Sequence, residues 1–197
     1  AVEEALDGIA EDLDAADLPN DYEVLAADTN RLPEYIDVEW WNRKNNVRVF
    51  GHNPDLTRMH VTANVTLWTR SGLSPAEVEV VILAVARELD SPFIWHHHIE
   101  SALDRGLTVE NVIALADGDT ADLPEEYAVL AEYAAATVED EVTDELHTQL
   151  ATHYENRTVV GAAMLAAYYL FIHRCASALG VGLREAFYGW DLRDYPE

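Results

Sequence analysis

The sequence predicts an all-α, single-domain helical bundle. Apolar residues recur at three- and four-residue spacing along most of the chain. Helix starts and stops are spelled out by Ser, Pro, Asp and Gly at the segment ends, and strand-like alternation is rare.

Residues 1–20 are acidic and read as a tail or a weak helix, which leaves residues 21–197 for the domain. A helix begins near Pro19, and another covers about Pro33 to Asn46 with Trp40 and Trp41 as core or interface anchors. Pro54 to Thr69 forms a helix with Leu56, Met59, His60, Ala63 and Leu67 on one side. Two sharply delimited helices follow within residues 74–106. A short helix over Val109 to Ala116 precedes Pro124 to Val138, Thr143 to Tyr154 and a long Val159 to Leu179. The most apolar part of that last helix, Val159 to Ile172, is shorter than the roughly 20 residues that span a bilayer. It is read as a central helix buried on most sides.

The first of the two delimited helices opens on Ser74, with Pro75 in the first turn and Glu77 three residues after the serine, a capping-box pattern. Val78, Val81, Ile82, Val85 and Leu89 form its apolar stripe. Glu79 falls among Val78, Ile82, Leu83 and Ala86 on the wheel, while Glu77, Arg87 and Glu88 fall on the polar side. The second helix starts at Asp90 or Ser91 with Pro92 behind it, and Gly106 stops it. His98 lies among Ile94, Trp95, Ser101 and Ala102, so it is the histidine of the 96–98 run that faces inward. Three consecutive histidines point three ways on a helix, so the run is not a metal site.

The short link makes the two helices antiparallel neighbours. Glu79 and His98 then approach each other inside the bundle. A carboxylate and an imidazole coupled in that way hold or pass a proton near neutral pH. The other reading is a buried ion pair that fixes helix register.

The spacing Glu79, eleven residues, Ser91, two residues, Ile94, three residues, His98 resembles the signature of the carboxymuconolactone decarboxylase and alkyl hydroperoxidase D superfamily. The redox branch of that superfamily has a glutamate, a Cys-x-x-Cys pair and a histidine. A cysteine-free branch reads Ser-x-Tyr-Glu-Trp-x-x-His; here Ser91, Trp95 and His98 match, Phe93 replaces the tyrosine and Ile94 the glutamate. The stretch from Ala102 through Gly106 to Leu107 is also similar to the family pattern. The resemblance implies an alkyl hydroperoxidase D-like bundle that assembles as a dimer, trimer or hexamer. It implies a cofactor-free acid/base enzyme acting on a small lactone or carboxylic acid, with Glu79 and His98 catalytic. Trp95, Ser91, Ile94, Tyr169 and His173 are the candidate substrate-binding residues; for the aromatics and His173, core packing is the alternative. A dithiol redox accessory is disfavoured, because Ser91 and Ile94 stand in the thiol places and two thiols are needed. A non-catalytic ligand-binding relative is the third reading, and Ile94 is the residue that supports it.

Composition narrows the classes. The chain carries 37 acidic and 12 basic side chains, a formal charge of −25, and Lys44 is its one lysine. That balance looks like a cytoplasmic protein of an extreme halophile, where salt screens the self-repulsion. A nucleic-acid partner is not expected without a basic patch, and the acidic start is the reverse of a secretory leader. A membrane partner is not expected either. One cysteine, Cys175, excludes an intramolecular disulfide. His52, His60, His147 and His153 lack metal-ligand spacing, so neither metal nor cofactor is expected. Two internal similarities stand out. ADLPNDYEVLA at residues 16–26 matches ADLPEEYAVLA at 121–131 in eight of eleven positions, and residues 93–103 resemble 169–179, a possible helix-pair repeat.

Overall fold

The computed structural model describes residues 45–183 and 187–194, and all its regular structure there is helical. The acidic tail, the helix near Pro19, most of the 33–46 helix with Trp40 and Trp41, and the first ADLP copy lie outside the described residues. The chain divides into two compact units between Val61 and Thr62.

The first unit contains α1 (Asn45–Phe50) and the start of α2 (Pro54–Arg70). Leu56 and Met59 are exposed on α2, contrary to the expectation that they share a covered side with His60. The buried stripe is instead Thr57, His60 and Val61. Thr57 tolerates burial because its hydroxyl donates back to the Asn53 carbonyl at 3.0 Å. Phe50 meets the His60 ring edge-on, 5.1 Å between centroids.

Burial holds the His60 imidazole down to about 4 from its ordinary 6.5. The unfolded chain therefore binds a proton that the folded chain does not, and stability falls as pH drops from about 6.5 to about 4. That shift corresponds to about 3 kcal/mol. Comparing the native protein with His60→Asn by chemical denaturation across this window should show the difference shrinking as pH falls. A constant difference would contradict the assignment.

In the second unit the centre is α3 (Pro75–Glu88). Every residue from Val78 to Ala86 is buried, so the helix is covered on all sides. Ser74 caps it with its hydroxyl on the Glu77 N–H, and Glu77 returns a carboxylate to the Ser74 N–H, the expected reciprocal box. Around α3 pack α4 (Pro92–Asp104), α5 (Val109–Asp117), α6 (Glu125–Glu139) and α8 (Asn156–Ala178), while α7 (Asp144–His153) lies against α6. Ser91 is the α4 N-cap, accepting from the Ile94 N–H, and the chain leaves α4 through Gly106 at φ 105°.

The central place taken by α3 leaves α8 more open than its sequence suggests. Leu165, Ala166, Tyr169 and Ile172 are buried, but Val160, Met164 and Phe171 are exposed. At 23 residues α8 is long and apolar enough to cross a membrane by length and composition, unlike the shorter run read from the sequence. Its inner face is part of the bundle core. The possible repeat does not extend to packing: Trp95 is fully buried, whereas Phe171, its counterpart, is exposed.

One glycine sets how closely α8 approaches. A Cβ on Gly161 would overlap the Ser71 carbonyl in the turn before α3, where only backbone stands in the way. Gly161→Ala should therefore cost about 3 kcal/mol through forced displacement of α8, measurable as a lowered denaturation midpoint. An unchanged midpoint would show that the turn yields freely.

Candidate acid–base site

Glu79 projects from the buried middle of α3 with 0% side-chain exposure. Such a group requires compensation, since an unpaired carboxylate in an apolar core is costly. Two side chains of α4 and its C-cap residue Arg105 supply it. His98 Nδ1 lies 2.9 Å from Oε2, and the Ser101 hydroxyl donates to Oε1 at 2.6 Å. Arg105 Nε donates to Ser101 Oγ at 3.0 Å and stands 3.3 Å from Oε1. Positions 98, 101 and 105 follow helical spacing, so one stripe of α4 faces one carboxylate.

The far side of His98 is built by two other helices. Tyr169 of α8 places its hydroxyl 3.3 Å from His98 Nε2, and Trp68 of α2 donates its indole N–H to the same hydroxyl at 3.0 Å. Asn64 hydrogen-bonds to both Tyr168 and Tyr169. Trp68 also lies beside the His98 ring, 5.7 Å between centroids, and carries the Arg105 guanidinium over its face at 4.4 Å. The ring of contacts closes from Glu79 through His98, Tyr169, Trp68 and Arg105 back to Glu79.

Donor and acceptor roles assign the histidine tautomer. A carboxylate only accepts, so Nδ1 carries the proton toward Glu79. The Trp68 indole only donates, so the Tyr169 oxygen accepts there and its own proton points to Nε2. Burial pushes the Tyr169 hydroxyl well above the usual tyrosine range, and the nearby Glu79 charge pushes the same way. Tyr169 is thereby kept a donor. The result is an imidazole oriented by a carboxylate, with Nε2 facing a hydroxyl.

Only part of this cluster reaches water. His98 is 13% exposed and Arg105 35%, while Tyr169 is buried. A molecule arriving from solvent therefore meets His98 and Arg105 first.

Residues 54–136 match the model of the carboxymuconolactone decarboxylase family. No curated protein and no solved structure matches the chain. The carboxymuconolactone decarboxylase segment runs from α2 into α6 and contains Trp68, Glu79, His98, Ser101 and Arg105; Tyr169 is contributed from beyond it.

Among the residues singled out from the sequence, Glu79, His98 and Tyr169 come together. The others do not join them by any hydrogen bond among the described residues. Ser91 is spent on the α4 cap, Ile94 is in the core, and fully buried Trp95 packs edge-on against Trp190 at 5.6 Å. His173, one turn beyond Tyr169, is partly buried, and burial holds its imidazole below the ordinary value with Arg174 adding to the effect. Cys175 is partly buried. Ser101 and Arg105 were residues of α4 and its C-cap that were missed, along with Trp68 and Asn64 of α2. The spacing of Ser101 and Arg105 from His98 was a usable signal, because an inward acid on α3 needs a stripe of donors on α4. Among the described residues no cluster of His, Cys, Asp and Glu has metal-binding geometry.

Proposed function

We propose that the chain is an acid–base enzyme acting on a small lactone or carboxylic acid, with decarboxylation as the reaction that best fits. The observation that carries this reading is the Glu79–His98 contact at 2.9 Å beside the Tyr169 hydroxyl. His98 Nε2 is the proton-exchanging atom, and Glu79 orients the ring and stabilises it when it is charged. Among the hydrogen bonds that link Glu79, His98, Tyr169 and Trp68, the 3.3 Å approach of Tyr169 is the longest, so it is where a substrate atom inserts most cheaply.

In decarboxylation the bond to the departing CO2 breaks and its electron pair passes into an adjacent carbonyl as an enolate. The Tyr169 hydroxyl is placed to donate to that developing oxyanion. His98, having taken a proton from solvent water at Nε2, then gives it to carbon, so charge and atoms balance. The likeness of residues 54–136 to the carboxymuconolactone decarboxylase family supports the same reading.

The test is CO2 release from a panel of carboxylated five-membered lactones and 3-oxo acids. Release by the native protein that disappears in His98→Gln supports the proposal. Release that is equal in both proteins, or undetectable across the panel, counts against it.

A further inference from the structure

Arg105 has a free edge that the buried carboxylate does not use. Its Nε is engaged by Ser101 and Glu79, and its guanidinium plane lies on the Trp68 ring. Among the described residues, neither terminal nitrogen makes a hydrogen bond. The side chain is 35% exposed, the highest value among the cluster's charged groups, and it shares Glu79 with His98. A guanidinium held by stacking and by one nitrogen loses little freedom when its other edge is used.

We propose that this outer edge of Arg105 recognises the carboxylate of the substrate that reaches His98. The two terminal nitrogens form a planar fork that matches two carboxylate oxygens, a pairing stronger than bonds between neutral groups. Such recognition has particular value on a chain with formal charge −25, whose surface otherwise repels anions. The inference rests on the acid–base reading of the same site and adds to it the residue that selects an acid over its neutral analogue. Anchoring a carboxylate at Arg105 also brings the substrate's carbons toward His98, because Arg105 and His98 both contact Glu79.

The probes are a saturated five-membered lactone bearing a carboxylate on its γ carbon, which has no carbonyl placed to accept the electron pair of a departing CO2, and its methylamide. Calorimetry should find the acid bound about tenfold or more tightly than the amide. Arg105→Gln should erase that preference while leaving amide affinity unchanged, and Arg105→Lys should keep part of it. Preference should also weaken as salt rises. Equal affinity of the native protein for acid and amide, a preference that survives Arg105→Gln, or parallel loss of both ligands would overturn the assignment. Failure to bind either probe would overturn it as well. Neither probe is turned over, so an acid preference found without CO2 release from the substrate panel would sink the catalytic reading and leave the recognition site standing.

Discussion

His98→Gln should slow CO2 release by about two to four orders of magnitude, the usual worth of a positioned acid or base. Glutamine is close in size to histidine and can still donate to Glu79, so the contact at 2.9 Å has a replacement donor. A carboxamide neither gains nor gives up a proton near neutral pH, so the exchange at Nε2 is lost. The helical signal and thermal midpoint should stay close to native, because His98 is one of several groups that satisfy Glu79. Steady-state rates on one substrate, measured beside circular dichroism, separate the two effects. A variant that folds and retains native turnover would remove His98 from the mechanism.

Replacing Glu79 should affect both stability and turnover. Glu79→Ala leaves a cavity in the middle of α3 and strands donors from His98, Ser101 and Arg105. All three donors sit on side chains that are at least partly exposed and can turn toward water, which limits the loss. The expected cost is about 3 kcal/mol, together with loss of turnover. Glu79→Gln is the more informative variant. It preserves volume, but its NH2 would face a donor at one of the two oxygen positions, at a cost of about 1–2 kcal/mol. Turnover should fall nearly as far as in the alanine variant, although the protein remains folded under assay conditions. A glutamine variant with native activity and lowered stability would reduce Glu79 to a register-fixing residue.

Much of this site was legible because it depends on two helices with explicit boundaries. Ser74 and Ser91 fix where α3 and α4 begin, and those starts fix which residues face inward. Glu79 and His98 followed from the wheels alone. Tyr169 was named as a candidate, but Trp68 and Asn64 come from a helix remote in sequence, and periodicity does not say where such a helix crosses. Arg105 was hidden for a different reason: an arginine near a helix end ordinarily reads as a solvated charge. The exposed faces also escaped periodicity. Leu56 and Met59 are as apolar as core residues, yet Thr57 and His60 take the covered stripe because local bonds and ring contacts satisfy them. On α8, the small Gly161 and Ala162 sit where the helix is closest to its neighbours, and larger Val160 and Met164 are left outside.

The most direct test of the Glu79–His98 centre is the tautomer of one imidazole, read from ring-nitrogen NMR spectra of histidine-labelled protein. His98 should carry its proton on Nδ1 and leave Nε2 bare, with the Nε2 signal moving in Tyr169→Phe and the tautomer changing in Glu79→Gln. A proton resident on Nε2 in the native protein, or a spectrum indifferent to both substitutions, would contradict a base held ready by a buried carboxylate.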